Sequence, residues 1–164
     1  MIRRSLLLAA VSALSLVGAG AALAVPPEHH TDSEDYNGSA SCGTFSDVYV
    51  GYLEVSAITT FDRAGNPVRD VVHIRGWETN SRSDDPSVSI TAKRNWTIVY
   101  DYASETEMNA GAVFTQTAPG QGVLFHDVGN VRFGAGGGDV TVHGPHDILD
   151  QGDAAFCNAL LAVS

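Results

Sequence analysis

The sequence predicts an all-β protein: an antiparallel barrel of about six to eight strands with a short C-terminal helix, or a β-sandwich with the same helix. Three observations carry this. Val88, Ile90, Ala92, Arg94, Trp96, Ile98, Tyr100 and Tyr102 alternate with Ser89, Thr91, Lys93, Asn95, Thr97, Val99 and Asp101. That period of two belongs to a strand with one face buried and the other in water, the habit of antiparallel sheets. Turn residues punctuate the chain at hairpin spacing, as in Asp62-Arg63-Ala64-Gly65-Asn66-Pro67 and Ala118-Pro119-Gly120-Gln121-Gly122. Near the C-terminus the apolar spacing lengthens, placing Ala154, Cys157, Leu160 and Leu161 on one helical face with Asp153 as the cap.

In chain order, residues 1–24 predict a signal peptide. Arg3 and Arg4 form a positive start, an uncharged apolar stretch follows, and Ala22-Leu23-Ala24 supplies small residues for cleavage. This implies a secreted, extracellular protein. Residues 25–41 hold His29, His30, Asp32, Glu34 and Asp35 with few apolar groups, which reads as a flexible acidic arm. Residues 42–164 then form a single β-rich domain. Residues 44–61 read as a strand in which Tyr49, Leu53, Val55, Ala57 and Phe61 share one parity, and residues 68–77 return as its hairpin partner. A polar loop over residues 79–86 precedes the alternating strand. Weaker strands follow over residues 108–117 and 123–133, the latter with a break expected at Gly129-Asn130, and a last one over residues 139–143.

The chain carries nine Lys and Arg against nineteen Asp and Glu, a formal charge of -10. Such a surface repels phosphate backbones and anionic lipid headgroups, so nucleic acid is excluded as a partner. No apolar run after the signal peptide reaches spanning length, so the mature chain is not expected to insert into a membrane. Two cysteines, Cys42 and Cys157, allow one intramolecular disulfide in an oxidising compartment. The loop it closes is worth about 4 to 5 kcal/mol of chain entropy.

Several segments together carry a resemblance: Ser41-Cys42-Gly43, Gly65-Asn66-Pro67-Val68-Arg69, Gly122-Val123-Leu124-Phe125-His126-Asp127-Val128-Gly129, Gly144-Pro145-His146-Asp147 and Ala155-Phe156-Cys157-Asn158-Ala159-Leu160. Over most of residues 41–161 the chain resembles a group of small secreted β-rich proteins of actinobacterial genomes. The resemblance implies a bacterial exported protein and supplies no catalytic residue. The hairpins are also loosely similar to lipocalin and allene-oxide-cyclase barrels, with the diagnostic motif of neither.

Arg94 lies on the apolar parity of its strand between Ala92 and Trp96, where a lone guanidinium is costly and needs a partner. Asp127 shares parity with Phe125 and Val131, which makes an interior Arg94–Asp127 pair one reading. The other leaves the Arg94 head in water at a barrel mouth with its stem over Trp96. His126, His143 and His146, with Asp127 and Asp147 beside two of them, form a weak metal pattern of unspecific spacing, so no metal is assigned. No nucleophile elbow, zinc helix, redox cysteine pair or phosphate loop occurs, and no cofactor is expected. The function expected is therefore a non-catalytic binding module whose interior, lined by Trp77, Trp96, Tyr100, Tyr102, Phe125, Arg94 and Asp127, takes a small apolar ligand. The alternatives are a small cyclase, isomerase or hydrolase using Arg94, Asp127 and Glu54, or a surface interaction protein with a filled core.

Overall fold

The computed structural model describes residues 24–118, 121–146 and 150–164, so the expected signal peptide lies outside the described residues except for Ala24. Seven strands form one antiparallel sheet in chain order: β1 (Glu28–Ser41), β2 (Ser46–Phe61), β3 (Pro67–Arg82), β4 (Ser89–Asp101), β5 (Thr106–Ala118), β6 (Gly122–Phe133) and β7 (Val140–His143). A meander of this kind follows from the hairpin turn chemistry between neighbours. β1 and β7 are the two edges, so hydrogen bonds do not close the sheet into a barrel. The helix α1 (Ala154–Ala162) follows.

Residues 25–41 correct the expectation of a flexible arm, because β1 occupies most of them. Its register against β2 is unbroken from Glu28 opposite Thr59 to Ser41 opposite Ser46. An edge strand is held through its backbone on one side only and buries little, so it needs few apolar side chains, and its acids discourage pairing with a further strand. β3 likewise runs past the expected loop at residue 79, since Thr79, Asn80 and Ser81 pair with Thr91, Ile90 and Ser89 of β4. β6 passes through Gly129 unbroken, with that glycine at φ +148° opposite Gly111 of β5.

Alternation on β4 is sharp where the helix covers it. Ile90 and Ala92 are buried while Ser89, Thr91 and Lys93 are exposed, and past Asn95 both faces are partly buried. The reason is length. A helix of nine residues spans about 13 Å, against about 40 to 53 Å for the 12 to 16 residues of β1 to β6. α1 therefore seals only one end of one sheet face. There Phe114, Phe125 and Phe156 meet with ring centroids 5.0 to 6.1 Å apart. Leu160 and Ala159 pack on Phe45 and Ile90 beside them. Full burial of a Phe or Leu side chain contributes about 1.5 to 3 kcal/mol.

The buried stripe of α1 is Ala155, Phe156, Ala159 and Leu160, one position off the expected face, and Leu161 is exposed. Asp153 makes no side-chain cap bond. Cys42 and Cys157 are joined across 115 residues with their Cα atoms 5.5 Å apart, which ties the helix to the chain just before β2. Among the described residues no helix is long and apolar enough to cross a membrane.

Candidate functional site

Beside the aromatic core, the sheet face under the start of α1 turns polar. Register explains why these groups meet. One row across the sheet reads Tyr36, Gly51, Glu78, Ala92 and Gln116, and the next reads Gly38, Tyr49, Asn80 and Ile90. The small residues in the first row leave the floor low. Tyr36 lies across Gly51, where a Cβ would collide with its ring, and Tyr49 lies in the same way across Gly38. Gly51 thereby lets Tyr36 of β1 reach over β2 to Glu78 of β3.

Glu78 gathers three donors: Tyr36 Oη at 2.7 Å and Arg94 Nη2 at 2.6 Å, both to Oε2, and Asn80 Nδ2 at 3.2 Å to Oε1. The same Asn80 amide donates to Asp47 Oδ2 at 2.9 Å, while its carbonyl accepts from Gln116 Nε2 at 2.9 Å. Asp47, Glu78, Asn80 and Gln116 are all buried. Arg94 is placed by a bulge: between its neighbours' partners, β5 inserts Val113 and Phe114, and the guanidinium carbon stands 3.7 Å from the Phe114 ring centroid.

Electrostatics follow from burial. Asp47 is pushed up to about 6, chiefly by desolvation, with the Asn80 bond opposing and the charges of Glu78 and Asp153 adding. The Tyr36 hydroxyl is held above the ordinary phenol range by burial and by its bond to Glu78. Burial lowers the Arg94 guanidinium, and Glu78 counters it. Three atoms of the cluster, Asp47 Oδ1, Arg94 Nε and Gln116 Oε1, are buried without a hydrogen-bond partner. A pocket of about 330 Å³ opens here, walled by Tyr36, Tyr49, Phe114 and Phe156 with Asp47 and Asp153 on its polar side.

Of the residues expected at a site, only Arg94 is in this cluster. Its partner is Glu78, and the expected pair with Asp127 does not form. Phe114, opposite Asp127 in register, puts its ring beneath the guanidinium, and Asp127 is taken by His146. Phe125 is packed in the core. Trp96 and Tyr100 lie farther along the same face of β4, partly buried. Trp77 alternates to the other face and is 42% exposed, and Tyr102 is exposed and donates to Asp70 at 2.7 Å. Glu54, expected inside, is exposed and faces Arg75 at 3.5 Å. His146 Nδ1 lies 2.7 Å from Asp127 Oδ1 and its Nε2 3.3 Å from the His143 carbonyl, so both ring nitrogens are engaged. His143 is exposed and His126 alternates to the face opposite Asp127, so the three histidines do not converge, and Asp147 lies outside the described residues.

Sequence reasoning missed Tyr36, Asp47, Glu78 and Asn80. Asp47 carries the parity of Tyr49, Leu53 and Val55 within the strand read over residues 44–61, so that reading already turned it inward; Glu78 and Asn80 carry the parity of Val72 and Ile74, so extending the strand read over residues 68–77 would have turned them inward too. A wider trough of about 840 Å³ crosses β1 to β4, including Tyr52, His73 and Arg75, but its Glu54–Arg75 pair is exposed and the unpaired atoms of the polar cluster are elsewhere. No protein-family model matches the chain, and no curated protein or solved structure matches it.

Proposed function

We propose that the chain is an exported, non-catalytic binding module that holds a small, largely apolar ligand in the pocket under the start of α1. The observation that carries this reading is a pocket of about 330 Å³ with aromatic walls and an unpaired, buried acceptor on its polar side. The size lies at the lower end of small-molecule sites, and such sites combine apolar walls with a few fixed polar groups. Export is supported by the Cys42–Cys157 bond, which persists in oxidising compartments.

An enzyme acting through interior polar groups is the second reading, and Asp47 near 6 favours it, because such a group exchanges protons close to neutral pH. Binding is preferred because Glu78 and Arg94 neutralise one another and Glu78 is saturated with donors, which leaves neither as a ready base or acid. A panel of neutral aromatic and aliphatic alcohols, read by thermal shift, tests the proposal. Ligand at about a hundred times its Kd stabilises by about 2.7 kcal/mol, so the Tm should rise, and mass spectrometry should return the ligand unchanged. Phe156→Ala should abolish the shift. A flat Tm across the panel would remove the basis for the reading, and a converted ligand would replace it with the enzymatic one.

A further inference from the structure

Three acids, Asp47, Glu78 and Asp153, line the pocket, and among the described residues only Glu78 has a cationic partner. Arg94 is committed to Glu78 at 2.6 Å, with side chains 13% and 6% exposed. Among the described residues Asp47 has no cationic partner, and Asp153 at the start of α1 adds a further negative charge beside it. Asp47 lines the pocket and is 2% exposed; one of its oxygens is held by Asn80, and the other, Oδ1, is buried without a partner. A buried carboxylate oxygen left in this state is costly unless a donor reaches it. Around it, the Tyr36 and Tyr49 rings stand with centroids 6.4 Å apart and planes tilted by 53°, an aromatic wall for an apolar body, with Arg94 already over the Tyr36 ring at 5.3 Å. An anionic ligand would meet these carboxylates, and the charge of Arg94, the guanidinium that lines the pocket, is already balanced by Glu78, although its Nε has no partner.

We propose that the pocket selects an organic amine in its protonated form, its ammonium group donating to Asp47 Oδ1 and facing Asp153, its apolar body against Tyr36, Tyr49 and Phe156. The assignment rests on the reading of this pocket as the ligand site and gives that ligand its charge class. Arg94 has a positioning role: it neutralises Glu78, so that Asp47 is the carboxylate left for the incoming cation.

The test uses the full disulfide-bonded chain and three matched probes, 2-phenylethylamine, 2-phenylethanol and phenylacetate, titrated by calorimetry at pH 7.5. The amine should bind about tenfold or more tighter than the alcohol, as a hydrogen bond to a charged group implies, and phenylacetate should bind weakest. Asp47→Asn should bring amine and alcohol within about twofold of each other, because the charge-assisted part of the bond is lost. Asp153→Asn, at an exposed position, serves as the second variant and should weaken the amine by about two- to threefold while sparing the alcohol. An alcohol that binds as tightly as the amine, or an amine affinity unmoved in Asp47→Asn, overturns the charge assignment while leaving the pocket a ligand site. If none of the three probes binds, the ligand site itself falls and the amine assignment with it.

Discussion

Asp47 and Asp127 are buried carboxylates on the same face of the sheet, 2% and 3% exposed, and their surroundings differ in one respect. Asp127 is closed by His146, and the backbone around it is closed as well: Val128 donates to the Pro145 carbonyl at 2.9 Å and Asp127 bridges to His146. That pair pins the chain after β7 onto β6 and leaves no imidazole nitrogen for a substrate. Asp47 keeps one oxygen unpaired beside a cavity, surrounded by further negative charge. Burial of an acid alone therefore says little about its role. A satisfied acid holds the fold together, whereas an unsatisfied one beside a cavity costs stability, and on our proposal it is there that the ligand binds.

The largest effect expected comes from a change that separates the two acids. Replacing Cys42 and Cys157 by serine frees α1 from the chain before β2 and removes about 4 to 5 kcal/mol of loop-closure stabilisation. Chemical denaturation should show that loss, and probe binding near Asp47 should weaken further than stability predicts, since Phe156 of α1 walls that site.

Next in size is His146→Ala, which strands Asp127 in the interior and should cost about 3 to 5 kcal/mol. Ligand affinity, measured below the new unfolding midpoint, should be unchanged. A loss of affinity as large as the loss of stability would mean that the two acids belong to one site.

Asp47→Asn should do the opposite. The carboxyl ordinarily titrates at 3.8 and here at about 6, so the folded protein holds this proton more tightly than the unfolded chain does. That contribution is fully present below pH 3.8 and is lost as pH rises through about 6, above which the folded state carries a buried charge. The variant should match the parent near pH 3.5 and exceed it by about 2 to 3 kcal/mol above pH 7, read from denaturation midpoints across that range. Equal stability at all pH values would show that Asp47 is as well satisfied as Asp127.

The smallest effect belongs to Glu54, the exposed acid that the enzyme alternative had placed among the interior polar groups. Glu54→Gln removes an exposed pair with Arg75 and should change stability by less than about 0.5 kcal/mol, with ligand affinity unaltered. A larger effect on affinity would shift the site to the trough across β1 to β4.

Legibility in the sequence followed the strength of local signals. β4, where Ile90 and Ala92 alternate with Ser89, Thr91 and Lys93, was plain, since each residue's face is set by its own place in a period of two. The position of Arg94 on the apolar face was read from the same alternation, and with it the need for a partner. The partner's identity was not readable. Glu78 meets Arg94 only because β3 runs to Arg82, because Gly51 makes room for Tyr36, and because Val113 and Phe114 bulge out of β5. β1 was illegible for another reason: at an edge, backbone bonds to β2 suffice, and the hydrophobic pattern that announces a strand is not required.

By itself, then, the sequence determined the class of the fold, its hairpin order, the C-terminal helix and the cysteine pair, because alternation, turn residues and spacing act over a few neighbours at a time. The tertiary structure alone decided how far each strand extends, which end of the sheet the helix seals, and which buried acid is satisfied. Those outcomes depend on contacts such as Asn80 with Asp47, 33 positions apart, and Arg94 with Glu78 across two strands. Contacts of that kind exist only once the register between the two paired strands has been set.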